Sequence, residues 1–309
     1  MKPILTPCWR NVSLNLFRRF SALPLLALLG GVFGQAQVQV QVQVQVQRVD
    51  SPQRVVALAP SLSEIVAKLL GRDLHRLVGV TEASDFPAEL KNIQSVGPYH
   101  QFSLERVLAL KPDLVLATAD GNPKDQVLRL RELGIPVVVT QQKSLSEIES
   151  TVLLVARSLG LLGRGQEQVM ELREGLKAVR KQFNRGVSPR VLLQLGDEPL
   201  IVAGSGSFLD DCLIQLGAKN VYAHSSVGYP HPSAEDVIVR NPDVIVILSF
   251  GDAPKRYEEM QKKWLSFKKL RAVQNARVLM LRSDELLRPT PRILEGLKKL
   301  GEAIFQNES

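Results

Sequence analysis

The chain has 309 residues, 45% of them apolar and 23% charged, enough for two domains with their own cores. Its formal charge is +8, but Lys2, Arg10, Arg18 and Arg19 all precede residue 37, where no acid occurs, and the remainder holds 35 basic against 31 acidic residues. That excess is too mild for a nucleic-acid binder, and no basic helix interleaved with aromatics appears.

The first element in chain order is a predicted secretory leader over residues 1–36. Basic residues ending at Arg18-Arg19 precede an apolar run from Phe20 to Phe33, and Gly34-Gln35-Ala36 places small residues where a signal peptidase needs them. The run is about 14 residues long, short of the roughly 20 that span a bilayer, and Pro24, Gly30 and Gly31 interrupt it. Cys8 lies before the run, which leaves Cys212 as the lone cysteine of the exported chain and rules out an internal disulfide. Residues 37–53 open on a Val/Gln alternation, read as a low-complexity spacer with no binding role.

From Arg54 onward strands alternate with helices, the pattern of parallel sheets with crossover helices. Arg54–Leu58 is a buried strand. Ser61-Leu-Ser-Glu64 reads as a capping box opening a helix that stops at Gly71. Strands follow at 77–81, 114–118 and 136–140, with a helix over 126–133 and another capped start at Ser144-Leu-Ser-Glu147. Residues 164–187 form a long helix, with Val169, Leu172, Leu176, Val179 and Phe183 on one stripe. The second half repeats the outline: a strand at 190–195, a Gly/Ser loop at 203–207, a helix ending at Leu216-Gly217, strands at 220–223, 244–249 and 277–281, and a closing helix over 293–305. The expected fold is α/β, two Rossmann-like lobes (54–163 and 188–309) joined by a stiff helix that permits only a small opening motion.

The two halves share a phrase. Ser103-Leu-Glu105-Arg-Val107-Leu-Ala-Leu-Lys-Pro112-Asp113 returns as Ser233-Ala-Glu235-Asp-Val237-Ile-Val-Arg-Asn-Pro242-Asp243, each copy with a tyrosine four residues upstream, Tyr99 and Tyr229. Fixed-offset similarity indicates duplicated architecture and suggests a two-lobed binder with its ligand between the lobes. Glu105 and Glu235 point away from the apolar face of their helices. Either one alone is explained by the helix dipole, worth about 0.3–1 kcal/mol; both together make a two-point docking surface for basic partners. Tyr99 and Tyr229 stand among Gly and Pro in irregular loops, where binding residues concentrate, and each has a histidine beside it, His100 and His231. Asp284 and Arg288 follow the last strand, at the end where α/β folds bind ligands; a local salt bridge between them is the plainer alternative.

Chemistry is sparse. Gly204-Ser-Gly206-Ser207 lacks the spacing and lysine of a phosphate loop, no nucleophile elbow is present, and the four histidines have no metal-binding spacing. The chain reads as a binder, not an enzyme, with no cofactor.

In their order and spacing, RVVALAPSLSEI (54–65), SDFP (84–87), SLERVLALKPDLVLAT (103–118), DGN (120–122), LGIPVVV (133–139), VLLQLG (191–196), GYPHPSAED (228–236) and SDELLRPTPR (283–292) resemble the periplasmic cobalamin-binding proteins of ABC importers, within the helical-backbone class. The resemblance covers about 54–306. It implies a monomer that captures cobalamin, or a related corrinoid, as transported ligand. It implies that Glu105 and Glu235 pair with arginines of a membrane permease, that Phe86, Tyr99 and Tyr229 are cleft aromatics, that Asp284 and Arg288 are polar ligand contacts, and that Pro60 and Ser61 lie in a cleft loop. Four positions depart from the pattern. Tyr replaces the usual Trp at 99 and 229, Thr118 stands where an aromatic is common, and Glu285 where Trp can follow the Asp. Cys212 lies near a family disulfide position without its partner. A haem or ferric-siderophore carrier on the same fold is the alternative, with Tyr99, His100, Tyr229 or His231 as an axial ligand to haem iron; a cleft enzyme or a metal-ion receptor is the reading from another class.

Overall fold

Strand β1 (Val55–Ala57) is buried at every residue, and so is β3 (Leu114–Thr118). Continuous apolar runs of this kind suit a parallel sheet covered on both faces. In the computed structural model, which describes residues 51–183, 186, 188–249 and 254–305, the first lobe is a four-stranded parallel sheet ordered β2-β1-β3-β4, with β2 at Leu77–Gly79 and β4 at Val137–Thr140. Its helices are α1 (Pro60–Leu70), α2 (Leu104–Ala109), α3 (Lys124–Glu132) and α4 (Leu145–Ser158). The predicted leader and residues 37–50 of the predicted spacer lie outside the described residues. The described part of the chain belongs to one compact unit, Asp50–Ser309.

A 22-residue helix, α5 (Leu162–Phe183), leads to the second lobe. There β5 (Arg190–Asp197) pairs with β8 (Val244–Ser249), and β8 with β9 (Val278–Arg282), all parallel. Two short strands share the other edge of β5: β6 (Leu200–Val202) pairs antiparallel with its end, β7 (Lys219–Asn220) parallel with its start. The antiparallel strand departs from the expected all-parallel pattern because Glu198-Pro199 turns the chain straight back on itself. Strand β7 is two residues long where four were expected. The chain turns away at Val221–Ala223, where Tyr222 leaves the edge and is buried against Asp236, its hydroxyl donating to that carboxylate at 2.7 Å. Helices α6 (Phe208–Leu216), α7 (Ala234–Arg240), α8 (Pro254–Leu265), α9 (Arg271–Gln274) and α10 (Ile293–Phe305) complete the lobe.

The lobes share a core. One apolar cluster runs from Val55 and Ile65 through Val155, Leu172 and Val179 to Leu193, Leu213 and Leu300. Helix α5 packs on α4 of the first lobe and on α6 and α10 of the second. Glycines allow the approach: a Cβ on Gly165 would lie 2.4 Å from that of Ala156, and one on Gly175 2.2 Å from a Leu294 methyl. Among the described residues no helix is long and apolar enough to cross a membrane.

The shared phrase has one structure in both lobes. Ser103 Oγ accepts from Arg106 N at 3.3 Å, and Ser233 Oγ from Asp236 N at 3.2 Å, capping α2 and α7. Each helix ends in a left-handed residue, Lys111 and Asn241, both at φ 46°. Each Asp then ties down a neighbouring strand: Asp113 accepts from Gln53 N and Arg54 N at 2.7 and 2.9 Å, and Asp243 from Arg190 N at 2.9 Å.

Candidate functional site

The strand order of the first sheet reverses between β1 and β3, and doubly wound sheets bind ligands outside the carboxyl ends of the strands at such a switch point. Pro60 and Ser61 follow β1, Asp85 and Phe86 follow β2, and Ala119 to Asn122 follow β3. From the second lobe, residues 283–292 enter after β9. Phe86, Tyr99 and Tyr229 are 43%, 39% and 45% exposed, which leaves part of each ring free for contact.

Tyr99 is placed through its backbone. The buried Asn122 donates from Nδ2 to Tyr99 O at 2.6 Å and to Leu58 O at 2.7 Å, while its Oδ1 accepts from Thr118 N at 2.7 Å. One amide thus ties the Tyr99 loop to the ends of β1 and β3. The ring lies on Gly121, where a Cβ would come within 2.3 Å of Tyr99 Cε2. His100 sets its ring edge-on to Tyr99, with centroids 5.6 Å apart. Tyr229 comes from the other lobe but feels the same corner. Burial pushes its phenol up to about 12, with the Asp120 charge adding to the rise. Burial also raises the Asp120 carboxyl, against the bond that its Oδ2 accepts from Gln142 N at 2.6 Å. Thr118 is buried and takes no place at the surface of the cleft.

A polar seam joins the two lobes. The Ser61-Glu64 capping box does not form. Ser61 Oγ donates to Gln142 Oε1 at 2.8 Å, and Gln142 Nε2 donates to Pro289 O at 2.7 Å. Glu64 is drawn across the boundary instead: it accepts from Thr290 Oγ1 at 2.7 Å and from Arg292 Nε and Nη2 at 2.9 and 3.0 Å. Pro60 at N1 starts the helix without a side-chain cap. Glu285 accepts from Ser283 Oγ at 2.7 Å and Lys299 Nζ at 2.9 Å, and Arg292 stands 3.6 Å away. Burial acts to raise the Glu285 carboxyl, but the bonds from Ser283 and Lys299 outweigh it and hold it at about 2. Glu285 is therefore turned into the seam, which accounts for a carboxylate where an aromatic was expected.

Arg288 does not pair locally with Asp284. Its Nη1 lies 2.6 Å from Oδ1 of Asp85 on the opposite lobe. Next to that pair, the Arg292 guanidinium sits over the Phe86 ring, 3.7 Å from its centroid. The loop after β2 is thus held by two arginines of the other lobe. Asp85, Glu64, Gln142 and Asn122 were not among the predicted site residues; SDFP and DGN, both in the resemblance, contain two of them. Asp284 lies nearby on the 283–292 segment, part-buried. Glu105 and Glu235 are exposed, one on each lobe, at the same register of α2 and α7. Cys212 is buried, and burial pushes its thiol up.

Two α/β lobes on one helix, with aromatics uncovered at the strand ends, define a two-lobed binding protein. The chain matches the periplasmic binding protein family over residues 55–285 and belongs to it. It is similar to a vitamin B12-binding protein of Vibrio cholerae, 32% identical over 249 residues covering 80% of this chain and 87% of that one. Among solved structures it is similar to the periplasmic vitamin B12-binding protein BtuF of Vibrio cholerae (31% identity, TM-score 0.73, 83% of this chain and 99% of that one). It is also similar to a periplasmic heme-binding protein from Pseudomonas aeruginosa (31% identity, TM-score 0.71, 83% and 94%). The chain is a substrate-binding protein and not an enzyme; what it binds is its cargo, not a cofactor.

Proposed function

We propose that the chain captures cobalamin, or a related corrinoid, between its lobes and delivers it to the permease of an ABC importer. The observation that carries this reading is the set of three half-exposed aromatics, Phe86, Tyr99 and Tyr229, at the crevice ends of the strands. A planar macrocycle offers faces for Tyr99 and Tyr229 and an edge for Phe86. Asp284 and Arg288 contact its polar rim, and Pro60 and Ser61 line the loop beneath it. The continuous core and the polar seam limit closure to a small movement. Glu105 and Glu235, rigidly spaced, dock on basic residues of the permease. Export through a leader at 1–36, followed by a spacer at 37–53, puts a monomer in the periplasm.

Calorimetric titration of residues 37–309 with cyanocobalamin tests the reading: saturable one-to-one binding at micromolar or tighter is expected, and no heat from the corrinoid would overturn it. The second reading is haem, favoured by the likeness to the Pseudomonas aeruginosa protein and by the Tyr99–His100 pair. Haemin run alongside, followed by absorbance, would shift its absorption band under that reading.

A further inference from the structure

The two arginines that the second lobe brings to the cleft are already neutralised. Arg292 is held bidentate by Glu64, with Glu285 close by. Arg288 is met by Asp85 at 2.6 Å, its side chain 15% exposed and that of Asp85 46%. Asp85 does not stray there by chance. Its turn is fixed by Ser84 N bonding to Thr81 O at 3.0 Å and by the Thr81 and Ser84 hydroxyls, 3.2 Å apart. The next residue, Phe86, is held under Arg292. Burial acts to raise the Asp85 carboxyl, but the bond and charge of Arg288 outweigh it, so the pair is ionised at neutral pH. Lys91 adds a weaker pull in the same direction.

A ligand carboxylate arriving at Arg288 meets an ion pair, not a cation. It must displace Asp85, and it remains within reach of the displaced negative charge. A neutral amide has no such conflict. Its oxygen can accept from the guanidinium donors that Asp85 leaves free, since a guanidinium has five, and its NH2 can donate to Asp85 itself.

We propose that Asp85 determines specificity at this cleft, cancelling the charge of Arg288 so that ligands with an amide-bearing rim are taken over ligands with a carboxylate-bearing rim. The inference deepens the reading above and rests on that cleft being the binding site. Corrinoids carry amides around their rim, whereas haem and many siderophores carry carboxylates.

The test holds ligand shape fixed and changes only its charge. Cyanocobalamin and its monocarboxylic acid, with one side-chain amide hydrolysed, are titrated into the unsubstituted protein, Asp85→Asn and Asp85→Ala, with haemin as a third ligand. The unsubstituted protein should prefer the amide by about tenfold, about 1.4 kcal/mol. In both variants that ratio should fall to about one or reverse, and haemin should bind about tenfold more tightly. A purely mechanical clasp would change the affinities of amide and acid alike, so an unchanged ratio overturns the proposal. Two variants guard against misfolding of either; each should still melt in one cooperative transition, at a midpoint somewhat below the parent's because Arg288 loses its counter-charge. If the unsubstituted protein binds no corrinoid, the functional reading fails; haemin then decides this inference, which is lost if Asp85→Asn binds haemin no better than the parent.

Discussion

Tyr99 and Tyr229 reach the cleft by different means, and substitutions should separate them. The Tyr99 loop is pinned at its backbone by Asn122, so removing the ring leaves the loop in place and deletes contact area alone. Tyr229 lies in the stretch from Val227 to Pro230 that packs on Gly204, where a Cβ would come within 2.6 Å of Val227 O; again the backbone is held independently of the ring. Tyr99→Ala and Tyr229→Ala should each weaken corrinoid binding by about 1–3 kcal/mol, as truncated aromatic anchors do, while thermal midpoints stay nearly unchanged. Calorimetry alongside a melting curve checks this, and unaltered affinity would remove either ring from the site. Asn122→Ala should behave differently. It leaves Thr118 N and Leu58 O without partners inside the protein, so it should lower stability and affinity together.

At the scale of elements, the duplicated helix–turn–strand unit is the most legible part of the sequence. Its cap, its apolar face and its Pro-Asp turn are local, and local signals survive in a one-dimensional reading. Lys111 shows where the two copies differ in quality. It occupies the same left-handed position as Asn241, yet a lysine pays the full steric cost of that region, roughly 1–2 kcal/mol, which asparagine partly escapes. Lys111→Asn should therefore raise stability by about 0.5–1 kcal/mol in urea unfolding with no change in ligand affinity; a neutral or lower midpoint would show that the lysine makes a compensating contact. The carboxylates of α2 and α7 allow a test of docking that avoids the cleft. Both are exposed, and Glu235 is bonded by its own cap Ser233, which holds its carboxyl below the usual range. Glu105→Arg with Glu235→Arg should abolish uptake in a reconstituted importer and leave calorimetric affinity intact. Lost affinity in that variant would place the glutamates in binding instead of docking.

The whole molecule is held by contacts that no local reading reaches. Glu64 has the spacing of a capping residue to Ser61, and sequence alone offers no reason to send it 228 positions away to Arg292. Arg288 has Asp284 within one helical turn, yet its partner is Asp85. Both departures from local pairing have one cause: when two lobes close over a shared core, charged groups at the boundary lose water and take whichever opposite charge the other lobe presents. The acid dependence of stability follows from that boundary. Glu285 is the clearest case: burial acts to raise it, but Ser283 and Lys299 hold it at about 2 against an ordinary 4.5. A depressed carboxyl contributes its full stabilisation above 4.5 and loses it as pH falls through the window down to about 2; the size here is on the order of 3 kcal/mol. Asp85 is shifted in the same direction, and Asp120, raised by burial, works against them. The unfolding midpoint in urea should therefore fall steeply between pH 4.5 and 2.5. In Glu285→Gln the protein should be weaker at pH 7, since Lys299 and Arg292 lose a counter-charge, and its midpoint should vary less across the same window. Parallel pH profiles for parent and variant would show that the acid limb arises from other carboxylates and that the seam does not hold the lobes together as an ionised network.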